Sequence, residues 1–121
     1  MQTIVLEGTC SALGALTVTG TTRHTGYVEK VIMDYDDGDT GADLTLSVDT
    51  AGVSENILVA ANVGTADKVW YPRSLANKST DGTAFTNVAE KIFVNNANFV
   101  LTIAEGGVSK DFRFIVVLSD E

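Results

Sequence analysis

Tyr27-Val28-Glu29-Lys30-Val31-Ile32-Met33-Asp34-Tyr35-Asp36-Asp37-Gly38-Asp39-Thr40-Gly41-Ala42-Asp43-Leu44-Thr45-Leu46-Ser47-Val48-Asp49 reads as two strands joined by an acidic, glycine-bearing turn. Its second half alternates: Leu44, Leu46 and Val48 fall on one side, Asp43, Thr45, Ser47 and Asp49 on the other. That period of two marks a strand buried on one face only.

The same signature recurs on both sides of this stretch. Ile4 to Leu6, Leu16 to Thr22, Asn56 to Ala60, Lys68 to Tyr71, Lys91 to Val94, Asn98 to Ala104 and Lys110 to Leu118 are rich in β-branched and aromatic residues. Turn residues separate them, among them Asp81-Gly82, Asn95-Asn96 and Gly106-Gly107. Eight or nine short strands argue for a sandwich or a barrel, and the fold expected is all-β, an antiparallel, jelly-roll-like β-sandwich in a single domain over residues 1–121. Phe99, Leu101 and Ile103 share one face of a strand, and Phe112, Phe114, Val116 and Leu118 one face of the next. A hairpin loop, Glu105 to Ser109, is expected between them. Ile115 and Val117 then lie on the opposite face, which calls for a cover: the N-terminal segment or a neighbouring subunit. Residues 1–8 read as a docking arm or an edge strand, which makes Ile4, Val5 and Leu6 interface candidates.

Composition restricts the partners. Eight basic residues against sixteen acidic ones give the 121-residue chain a net charge of −8, and the cations form no run. Such a surface repels phosphate, so neither nucleic acid nor an anionic membrane is an expected partner. Cys10 is the sole cysteine, which excludes an intrachain disulfide and a Cys-based zinc cluster. Met1 to Leu6 has neither a basic start nor a long apolar run, so no signal peptide is expected there.

The candidates for chemistry are few. Asp34, Asp36, Asp37, Asp39 and Asp43 crowd one turn, but Thr45 stands where a calcium loop needs a bidentate Glu and Gly38 comes one residue early. A solvated turn is expected, with no metal and no cofactor. His24, the single histidine, precedes Gly26 in a predicted exposed loop with no Gly-x-Ser-x-Gly element to supply a nucleophile. No catalytic residue is assigned and the chain is not expected to be an enzyme. Val69-Trp70-Tyr71-Pro72-Arg73 holds the only Trp and the only Pro: Trp70 is expected in the core, with Tyr71 and Arg73 more exposed as interface anchors.

Gly26-Tyr27, Ile32-Met33-Asp34-Tyr35, Asp43-Leu44-Thr45-Leu46, Trp70-Tyr71-Pro72-Arg73, Thr80-Asp81-Gly82-Thr83 and Lys91-Ile92-Phe93-Val94, followed by the final pair of strands, resemble a family of small virion structural or head proteins of tailed phages. The resemblance runs from about Gly26 to Leu118 and its motifs are structural. It implies a capsid decoration (cement) protein, made in the host cytoplasm, which binds the major capsid protein on the outer head surface as a homotrimer. The alternative expectation is a carbohydrate-binding sandwich module of a tail or fibre.

Overall fold

The computed structural model describes residues 1–34, 41–64, 66–77 and 82–120. Nine strands follow one another: β1 (Gln2–Thr9), β2 (Leu16–Thr19), β3 (His24–Met33), β4 (Asp43–Thr50), β5 (Val53–Ala60), β6 (Lys68–Trp70), β7 (Arg73–Asn77), β8 (Ala84–Ala104) and β9 (Asp111–Ser119). All pairing is antiparallel, and four of the pairs are nested: β1 with β9, β2 with β8, β3 with β6 and β4 with β5. A single long ribbon is therefore rolled on itself, in keeping with the expected jelly-roll-like sandwich. One sheet runs β1-β9-β3, with β6 and part of β8 on the far side of β3, and the other runs β2-β8-β4-β5.

Each sheet gives its inner face to one core. Leu44, Leu46 and Val48 of β4 are buried, as their alternation requires, and so are Phe99, Leu101 and Ile103 of β8 and Phe112, Phe114, Val116 and Leu118 of β9. At roughly 1.5–3 kcal/mol per buried side chain, these ten residues are a principal source of stability. Trp70 is half-buried and not fully enclosed as expected, its ring stacked on Phe114 at 6.5 Å.

Three expectations are corrected. First, the strands flanking Glu105 to Ser109 form no hairpin: Asn98–Ala104 pairs with β4 and, in part, β2, whereas β9 pairs with β1 and β3. The loop is an arch that carries the chain from one sheet to the other. Second, Asn95-Asn96 ends no strand. β8 continues through it for 21 residues, leaving β3 at Ala97 and joining β4 at Asn98. Asn96 takes φ 49°, a left-handed conformation Asn tolerates, while its N–H donates to Thr25 Oγ1 and its carbonyl accepts from Arg23. Third, the N-terminal segment covers no face. β1 adds in plane to β9 as an edge strand, the second of the two readings of residues 1–8, and the side chains of Ile4 and Leu6, 8% and 2% exposed, turn into the chain's own core.

Candidate functional site

The two outer faces differ in chemistry. On the β2-β8-β4-β5 sheet, cross-strand partners align Thr17, Thr102, Thr45 and Val59 in one row and Thr19, Val100, Ser47 and Asn56 in the next. On the other sheet the registers bring Val5, Ile115, Ile32 and Val69 into one row across β1, β9, β3 and β6. Directly opposed residues share a face. Val5 and Val69 are 44% and 48% exposed, and Ile115 and Ile32 half-buried between them. One outer face is thus mainly hydroxyl and amide, and the other carries an aliphatic band four strands wide.

Charges border that band. On one side Arg113 lies between Glu7 (3.5 Å) and Asp34 and bonds both, and on the other Lys30 lies beside Val117. The register of β3 against β9 slips between Val28 and Lys30, which makes Glu29 the extra residue of a bulge. The slip keeps Val28, Val31 and Met33 all facing inward. Glu29 reaches Lys91 of β8 at 2.5 Å. The hydrogen bond from Lys91 holds its carboxyl below the ordinary range against partial desolvation, and the nearby charges of Lys91 and Arg73 act in the same direction.

Arg73 attends the same bulge. Its guanidinium turns back to donate to the carbonyls of Glu29 (3.2 Å), Val28 (3.4 Å) and Pro72 (2.7 Å). Here it acts inside the chain, supplying donors that a bulged ladder leaves wanting, and Tyr71, 61% exposed, is the more available of the two anchors. Arg73→Ala is accordingly expected to cost about 1–2 kcal/mol, more than the 0.5 or so of an ordinary surface change. A urea melt checks it, and a loss below about 0.5 kcal/mol would show that water serves these carbonyls equally well.

The remaining candidates are dispersed. His24 opens β3 and is half-buried, with Nδ1 3.1 Å from Gln2 Oε1 and its ring 6.2 Å from that of Phe99; it is no exposed loop residue. Cys10 is buried, and burial, helped by the charge of Asp111, pushes its thiol up, away from nucleophilic use. Of the aspartate cluster, Asp36, Asp37 and Asp39 lie outside the described residues. Asp34 bonds Arg113, and Asp43 accepts from the Asn62 N–H at 3.1 Å. Among the described residues no group of three His, Cys, Asp or Glu could hold a metal ion. A groove of about 560 Å³ runs past Tyr27, Phe93, Glu90, Glu55 and Ser74, with the two rings 5.0 Å apart and Phe93 51% exposed.

Sequence reasoning found Ile115 in the outer band because it interrupts an inward-facing pattern. Val5 it selected for another reason, and Ile32 and Val69 it missed, since only the registers place them in line.

No protein-family model matches the chain, and no curated protein matches it. Among solved structures, it is similar to an exo-β-1,3-galactanase of Phanerochaete chrysosporium with galactose, at TM-score 0.39 and 19% identity over 96% of this chain and 27% of that one. A variant of that enzyme with β-1,3-galactotriose gives TM-score 0.35 and 16% identity over the same shares. The chain thus spans about a quarter of those enzymes, and at such TM-scores the likeness says nothing of activity.

Proposed function

We propose that the chain is a head decoration protein of a tailed phage, a binding part without catalysis that lays the outer face of the β1-β9-β3-β6 sheet on the major capsid protein. The observation that carries this reading is the Val5-Ile115-Ile32-Val69 band, set against the threonine-lined face of the other sheet. An aliphatic band bordered by charges suits a protein interface. The hydroxyl-rich face then meets water, and the net charge of −8 keeps the free protein soluble. The resemblance to small phage head proteins supplies the partner.

A second reading rests on the Tyr27-Phe93 pair. An exposed Phe93 ring and a half-buried Tyr27 ring beside Glu90, Glu55 and Ser74 suit a sugar, and would make the chain a glycan-binding module of a tail or fibre.

One pair of variants separates the two. Val69→Asp is expected to lower occupancy on heads at least about tenfold, a loss of about 1.4 kcal/mol in docking, with the thermal melt unchanged. Phe93→Ala is expected to leave occupancy as it was. If Phe93→Ala abolishes particle binding while Val69→Asp does not, the glycan reading replaces the decoration reading.

A further inference from the structure

The edges of the sandwich are not equally protected. A strand at a sheet edge offers unpaired N–H and C=O groups, and folded proteins blunt such edges with short strands, bulges, charges or proline. β2 has four residues and β6 three, and β5 carries Glu55 and a bulge where its register against β4 slips between Leu46 and Ser47. β1 has only one of these devices, a single charge. Its eight residues pair with β9 from Gln2 opposite Leu118 to Thr9 opposite Asp111 without a slip, and it contains no Lys and no Pro, with Glu7 its one charge. Among the described residues β9 is the one strand that pairs with it. Beside Thr3, Ile4, Val5 and Leu6 runs an open groove of about 230 Å³, walled by Gly20 and Thr22.

We infer that β1 pairs antiparallel with β1 of a second copy of this chain, about a two-fold axis at Val5. Antiparallel pairing of a strand with itself is two-fold by construction, so a single exposed edge suffices for a closed dimer. Each residue must meet one that points to the same face, which restricts the registers to those centred on a residue. Centring on Val5 or on Leu6 pairs seven residues of the strand, and of the two only Val5 sets the outward aliphatic row of one copy beside that of the other: Thr3 then lies opposite Glu7 of the partner subunit, and Ile4 opposite Leu6 of the partner subunit. No like charges meet. The aliphatic band then runs unbroken across the junction from Val69 of one copy to Val69 of the partner subunit, with its outer surface left free. The pairing does not depend on head docking. It does work against two net charges of −8, so added salt should strengthen it.

Sedimentation velocity from about 1 to 200 μM tests the inference, in a range where an interface of modest size is half-formed. The expected result is a concentration-dependent dimer whose dissociation constant rises at least about tenfold in Val5→Lys, because an edge lysine is the device β1 lacks. Disulfide formation gives an independent readout of register. Val5→Cys is expected to link the two copies, since facing residues sit about 4.5–5.5 Å apart at Cα, while Thr3→Cys is not, its counterpart being displaced by roughly 14 Å. Buried Cys10 does not compete. A monomer at every concentration, a trimer, or linkage through Thr3→Cys in place of Val5→Cys would overturn the inference. Head occupancy is read separately through Val69→Asp, at the end of the band far from β1, so a failure of docking leaves this test intact.

Discussion

A chain lacking residues 1–8 is expected to lose cooperative unfolding and to accumulate as insoluble protein. The truncation removes Ile4 and Leu6 from the core and almost all of the ladder that β1 forms with β9. Truncating a single buried leucine costs about 2–5 kcal/mol, and a domain of this size has about 5–15 kcal/mol in total. Two core side chains and seven of the eight residues of a strand lost together exceed what such a domain can spare. The deletion also lays bare β9, whose inward row of Phe112, Phe114, Val116 and Leu118 would then flank an open edge. Solubility and a far-UV circular dichroism melt check this. A truncated protein that melts within about 5 °C of the full chain would show that β1 is dispensable and favour the docking arm over the edge strand, the two readings that the sequence leaves open.

That arm shows where the sequence is legible and where it is not. Alternation identifies which residues face the core, and for β4, the second half of β8 and β9 it does so residue by residue, because a period of two leaves no other face for the apolar set. It does not identify partners. Phe99 to Ile103 and Phe112 to Leu118 alternate in the same way whether the strands pair as a hairpin or face each other across the core, and they face each other. Punctuation misleads for a related reason. Asn95-Asn96 is a sound turn signal, and the left-handed φ it offers is used, but for a bend inside a strand shared by both sheets. In β1, too few residues precede Glu7 and Gly8 for periodicity to separate a free arm from a paired strand.

The candidate surface has the same history. Ile115 is conspicuous because apolar residues on both faces of a strand demand two covers. Ile32 is not, since it sits in the run Val31-Ile32-Met33, beside the bulge at Glu29 that restores inward alternation after Val28. The role of Arg73 was illegible for want of the same bulge, whose carbonyls it serves.

Gly106→Ala is expected to destabilise the fold by about 3 kcal/mol, the upper end of what overpacking costs, and to lower the melting temperature by roughly 10 °C. A Cβ built there would lie 2.8 Å from Cys10 Sγ, 2.8 Å from Ile103 Cγ2 and 2.9 Å from Phe112 Cε2. All three belong to buried residues, so none can swing into solvent to make room. The backbone cannot retreat either. The Gly106 N–H donates to Gly14 O at 2.8 Å, and Gly14, at φ +75°, is itself pressed to 3.1 Å from the Gly107 nitrogen at the position of its own missing Cβ. Two loops are thereby stacked backbone on backbone at the end of the sandwich where the chain arches from β8 to β9. Gly52→Ala is the comparison: its φ of +85° is strained for alanine, but nothing lies within 4 Å, so only the conformational cost of about 1 kcal/mol applies. Adding Cys10→Ala to Gly106→Ala removes one of the three clashing atoms and should recover part of the loss, a coupling that residues without contact do not show. Equal costs for Gly52→Ala and Gly106→Ala in thermal melts, with no recovery in the double variant, would mean that the arch is loosely packed and that Gly106 serves its turn and not the core.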